Sequence, residues 1–135
     1  MASSERLTLR GFEPVVVRRR NDAHELAERR FTRLEHFGFA DESRTQLVSS
    51  GIREGERSIC LVASTGHDIT LRDDSKVFLL FPYRGTATVE WGGQVQTAAP
   101  SEMIVVGRGS RRTRLSEGYL GGMIQLPIED VSHLE

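Results

Sequence analysis

Phe78-Leu79-Leu80-Phe81-Pro82-Tyr83-Arg84-Gly85-Thr86-Ala87-Thr88-Val89-Glu90-Trp91-Gly92-Gly93 is the stretch that decides the fold. Its second half alternates: Ala87, Val89 and Trp91 fall on one face, Thr88 and Glu90 on the other, and Gly92-Gly93 ends the run with a pair suited to a tight hairpin turn. Its first half belongs to the most apolar run of the chain, 77–81, far below the roughly 18 residues of a membrane span. Working outward, short apolar runs recur about every 8 to 12 residues between Gly, Ser, Asp and Pro, the texture of a small sandwich or barrel. The pattern predicts strands over 45–49, 57–63, 68–71, 77–83, 86–91, 95–97, 103–106, 112–115 and 123–126.

Before this β-rich part, residues 1–21 read as a polar arm with one extended piece at 13–18, where Pro14 and the three valines Val15, Val16 and Val17 favour strand. A helix is predicted next. Asp22 is its expected N-cap with Glu25 completing a capping box, and Ala23, Leu26, Ala27, Phe31 and Leu34 repeat at helical spacing until Gly38 stops it. The chain thus divides into an arm (1–21), a helix packing on a barrel (22–38), the barrel itself (45–128) and the entry to a further helix (129–135).

At 135 residues the chain is one domain, and 38% hydrophobic and 27% charged residues suit an ordinary globular protein. A net charge of -1 gives no general attraction to nucleic acid or an anionic membrane. Cys60 is the single cysteine, which excludes an internal disulfide or a multi-cysteine zinc site and suits a reducing cytoplasm. The opening residues carry no secretory signal pattern.

Catalytic and metal chemistry is sparse. His24, His36, His67 and His133 form none of the short ligand spacings that metal sites use. His67 and Asp68, as neighbours on a strand, face opposite ways, and Cys60 between Ile59 and Leu61 reads as a core thiol. The segment Gly107-Arg108-Gly109-Ser110-Arg111-Arg112 lacks the lysine of a phosphate-binding loop and reads as a loop, with Arg108, Arg111, Arg112 and Arg114 forming a solvated rim.

The order of the segments 78–85, 86–93 and Ala99-Pro100-Ser101-Glu102-Met103-Ile104-Val105-Val106 resembles the cupin-like sensor domain of AraC-family (AraC/XylS) transcriptional regulators. Residues 59–69 are similar to the strand pair before that core, 22–34 to the helix that precedes the barrel, and 121–128 to the closing strand. The resemblance implies a mainly β, jelly-roll barrel that senses a small-molecule effector. It also implies interdomain helices for a homodimer and a C-terminal helix-turn-helix DNA-binding domain outside this chain, so that this fragment itself contacts neither DNA nor membrane.

Enzymatic cupins carry clustered histidines and a glutamate. Here Val77 or Phe78 stands at the glutamate position, Pro100-Ser101-Glu102 replaces Pro-x-Gly, and no histidine occurs between His67 and His133. The expectation is therefore a cytoplasmic binding domain without catalytic residues, metal or cofactor. By resemblance, Arg72 opens toward the cavity, Phe78 and Leu80 form its floor, and Trp91 and Gln125 lie on its walls. Burying Leu115 turns Thr113 inward and leaves Arg112 and Arg114 wet. A stand-alone cupin enzyme and a ligand-free interaction barrel are the alternatives.

Overall fold

The computed structural model describes residues 14–29 and 32–132. Among them the elements run β1 (Val15–Val17), α1 (Arg20–Arg29), β2 (Arg33–Phe39), β3 (Leu47–Glu54), β4 (Arg57–Ser64), β5 (His67–Asp73), β6 (Lys76–Arg84), β7 (Ala87–Trp91), β8 (Gln94–Ala98), β9 (Ile104–Val106), β10 (Gly109–Leu115), β11 (Tyr119–Pro127) and α2 (Glu129–Ser132). The alternating run forms the β7–β8 hairpin, and both turn glycines take positive φ, 60° at Gly92 and 77° at Gly93. Such angles match the twist of the flanking strands and suit glycine in a two-residue turn.

The strands form two antiparallel sheets, one six-stranded in the order β1-β3-β4-β11-β6-β9, the other five-stranded in the order β2-β5-β10-β7-β8. The expected barrel is not closed: the two sheets keep separate edges. Their inner faces bury two apolar clusters. One gathers Phe78, Val89, Ile104, Val106, Leu115 and Met123. The other gathers Val17, Ala23, Leu26, Phe37, Leu47 and Ile69 beside α1.

The outer faces differ in chemistry. On the five-stranded sheet, Arg112 grips Asp68 across the β5–β10 pair, Nε donating to Oδ1 at 3.0 Å, and Arg112 and Arg114 both approach Glu90 of β7. The Arg112 hydrogen bond holds the Asp68 carboxyl below its ordinary range. On the six-stranded sheet, register aligns Ile52, Ile59, Ile124, Leu79 and Val105 in one apolar row.

The extended piece expected within the arm at 13–18 is present as the edge strand β1, which pairs with β3; residues 1–13 lie outside the described residues. The helix and its cap are corrected. The helix starts earlier and ends much earlier than 22–38. Asp22 is not the N-cap but sits in the first turn, its Oδ2 accepting from the backbone N–H of Arg18 and Arg19 at 3.1 and 3.2 Å, a carboxylate reaching back to the donors that a helix start leaves unpaired. Leu34 and Gly38, read as the end of the helix, lie in β2, where pairing with β5 overrides their helical spacing; Phe31 lies outside the described residues. Toward the other end, α2 covers Glu129–Ser132 within the helix entry expected over 129–135, and residues 133–135 lie outside the described residues.

One turn keeps a residue in strain. Glu102 N donates to Ala99 O at 3.0 Å across Pro100 and Ser101, and Ser101 takes φ 74°. This is the third position of a turn that favours glycine there.

Candidate functional site

A cavity lies where the two apolar clusters meet, between the sheets and under α1. β5 sends His67, Ile69 and Leu71 toward it, and β10 sends Arg111, Thr113 and Leu115. Leu80 of β6 and Met123 and Gln125 of β11 complete the opposite wall, and Leu26 and Ala27 of α1 cover it. Its volume is about 80 Å³, room for about half a dozen waters or a compact organic group, since one water needs about 10–15 Å³.

The wall is mostly apolar, with a few polar groups held in place. Arg111 is 3% exposed, and its guanidinium carbon stands 3.4 Å from the centroid of the Phe78 ring. Phe78 is itself fully buried, so the ring offers its negative face to a cation already removed from water. Gln125 is 2% exposed, and its Nε2 has no hydrogen-bond partner among the described residues. Register places Gln125 opposite Phe78 across β11 and β6. The ring beneath Arg111 is therefore also the cross-strand neighbour of Gln125.

His67 packs against Phe37 at 5.3 Å between ring centroids, and its Nδ1 is 2.7 Å from Ser64 Oγ. Burial lowers its pKa to about 4, so the imidazole is neutral near pH 7. Burial likewise pushes the Tyr119 hydroxyl up to about 12, with Cys60 adding to the shift. Asp68 points away from His67 to the outer face, as neighbours on a strand must. Among the described residues no three His, Cys, Asp or Glu side chains converge into a metal-binding group.

The five residues expected at the site separate. Leu80 and Gln125 are part of the cavity wall, and Phe78 stands behind it under Arg111. Arg72 does not open toward the cavity: His67, Ile69 and Leu71 take the inward parity of β5, and Arg72 faces outward with Nη2 3.3 Å from Asp74 Oδ1. Trp91 is not on the cavity wall either. It packs on the first cluster and against Gly107, and its Nε1 donates to Arg108 O at 2.8 Å.

Sequence reasoning missed Arg111. The segment 109–112 is strand rather than loop, and the parity that buries Thr113 and Leu115 buries Arg111 as well. Arg112 and Arg114 are wet, as the Leu115 argument requires.

No protein-family model matches the chain, and no curated protein matches it. Solved structures do. The cupin domain of Schizosaccharomyces pombe Cnp3 superposes with a TM-score of 0.53 at 11% identity, over 60% of this chain and 64% of that one. The AraC-like transcriptional activator CuxR gives a TM-score of 0.56 at 16% identity, over 87% of this chain and 48% of that one. A protein of unknown function from Rhizobium leguminosarum bv. viciae 3841 gives 0.51 at 23% identity, over 69% of this chain and 96% of that one. These likenesses establish a cupin-type fold. The chain matches less than two-thirds of the length of the first and about half of the second.

Proposed function

We propose that this chain is the effector-sensing domain of a transcriptional regulator of the AraC type. The observation that carries the reading is the cavity between the sheets, apolar over most of its wall yet holding the buried polar groups of Arg111, Gln125 and His67. Small-molecule sites combine such apolar walls with a few placed polar groups. The likeness to the AraC-like activator CuxR over 87% of this chain supports a regulatory setting, and in this reading DNA is contacted by a further domain. In this reading the ligand acts by linkage, stabilising the domain arrangement that holds it.

Binding without turnover is part of the proposal. Among the described residues the cavity wall offers the His67 imidazole and the Tyr119 phenol and no carboxylate or thiol. Burial moves the histidine down to about 4 and the tyrosine up to about 12, both far from the neutral range that general acid–base catalysis uses.

The test is a thermal-shift screen of small organic compounds against the wild type and Ala27→Leu. Ala27 is buried on α1 and faces the cavity, so a leucine there fills it from the helix side. Hits should stabilise the wild type by about 2.7 kcal/mol at a hundredfold excess over Kd. They should lose that effect in Ala27→Leu, which stays folded by circular dichroism. Hits that stabilise both proteins equally would remove the cavity from the mechanism.

A further inference from the structure

The chemical class of the ligand can be read from the cavity wall, an inference that rests on the binding role proposed above. Arginine keeps its charge at any ordinary pH, so the wall carries a fixed positive charge at Arg111. A charge 3% exposed is costly to hold away from water. Phe78 offsets part of that cost by stacking against the guanidinium. Stacking uses the face of the group, whereas its donors lie in its own plane and match the two oxygens of a carboxylate.

Gln125 adds an independent sign. Its Nε2 is a buried donor without an acceptor among the described residues, and such a group is rare unless something outside the chain satisfies it. It lines the wall opposite Arg111, and both adjoin Phe78. The rest of the wall, with Leu26, Val62, Ile69 and Met123, offers hydrocarbon.

We infer that the cavity takes a small organic monoanion, its carboxylate facing the Arg111 guanidinium with Gln125 Nε2 donating to it, and its apolar body lying against Leu26, Ile69 and Met123. Among the described residues Arg111 is the one guanidinium or ammonium on the wall, and a volume of about 80 Å³ suits a singly charged small molecule rather than a nucleotide.

Charge-matched pairs test the class. Pentanoate is compared with pentanamide, and cyclohexanecarboxylate with its amide, by calorimetry and thermal shift on the 135-residue chain, at constant ionic strength set with chloride. The carboxylates should bind and the amides should bind roughly tenfold more weakly or worse, the usual worth of a hydrogen-bonded charge. Arg111→Met should abolish that preference and Arg111→Lys should keep part of it. Gln125→Leu, which removes the donor without touching the charge, should weaken the carboxylates several-fold and leave the amides nearly unchanged.

Equal binding of acid and amide, with both lost in Ala27→Leu, overturns the anion inference while leaving the cavity as the binding site. No carboxylate binding, or carboxylate binding unchanged in a folded Arg111→Met, overturns the inference as well. Carboxylate binding that survives Ala27→Leu overturns the reading of the cavity itself.

Discussion

Ser64 Oγ lies 2.7 Å from Nδ1 of His67, and this contact fastens the end of β4 to the start of β5 beneath two phenylalanine rings. Because burial drops the His67 pKa to about 4 from 6.5, the unfolded chain takes up a proton that the folded chain refuses. The stabilisation is complete above pH 6.5, falls as the pH drops from 6.5 to about 4, and changes no further below that. Denaturant unfolding across this window should lose up to about 3 kcal/mol. His67→Asn should flatten the slope, and an unchanged slope would refute the assignment.

At lower pH the paired carboxylates take over, and Asp73 is the buried one. Its Oδ2 is 2.7 Å from Lys76 Nζ, with both side chains 2% exposed, while its Oδ1 accepts from Ser75. Burial alone would raise the Asp73 carboxyl, but the hydrogen bonds from Lys76 and Ser75 outweigh it and hold the group below its ordinary range. Asp73→Asn keeps the turn yet removes the charge, and should cost about 3 kcal/mol by leaving a buried ammonium without its carboxylate. Adding Lys76→Met should restore most of the loss in the same urea titration.

Ser101→Gly should stabilise the chain by about 0.5–1 kcal/mol. The residue sits at φ 74° in the turn after β8, where a side chain is strained and glycine is not. A higher midpoint at unchanged slope of the denaturation curve checks it.

Gly51→Ala should do the reverse. A Cβ built there stands 2.5 Å from Ile59 O and 2.6 Å from Cys60 Cβ, so β3 would have to draw away from β4 to admit it. The expected cost is about 2–3 kcal/mol. A loss under 0.5 kcal/mol would mean that the two strands separate more easily than their register implies.

Much of the fold is legible in the sequence because period-two alternation and glycine turns are local signals. Ala87, Val89 and Trp91 share a face in the structure as they do in the pattern. Leu34 is harder: its spacing from Phe31 is helical, and only the partner strand β5, distant in sequence, makes it a strand residue. Trp91 turns inward as its parity requires but reaches the first cluster rather than the cavity, whereas Arg72 is set toward the cavity by family likeness alone. Parity along β5 from His67 to Leu71 already points Arg72 outward.

Arg111 is the instructive miss. Counting back from Leu115 by twos reaches it, but the glycines at 107 and 109 read as loop, and an inward arginine contradicts ordinary patterning. What reconciles it is Phe78, more than thirty residues away, whose ring no local rule could place under a guanidinium.

Lys76 carries one more consequence. It is the chain's single lysine, and it is sealed in the corner between β5 and β6. Reagents that acylate amines find no lysine on the folded surface. Modification of Lys76 therefore counts only the molecules in which that corner has opened, which makes it a clock for local unfolding. Lysine-directed crosslinking, for the same reason, is blind to whatever this domain touches while folded.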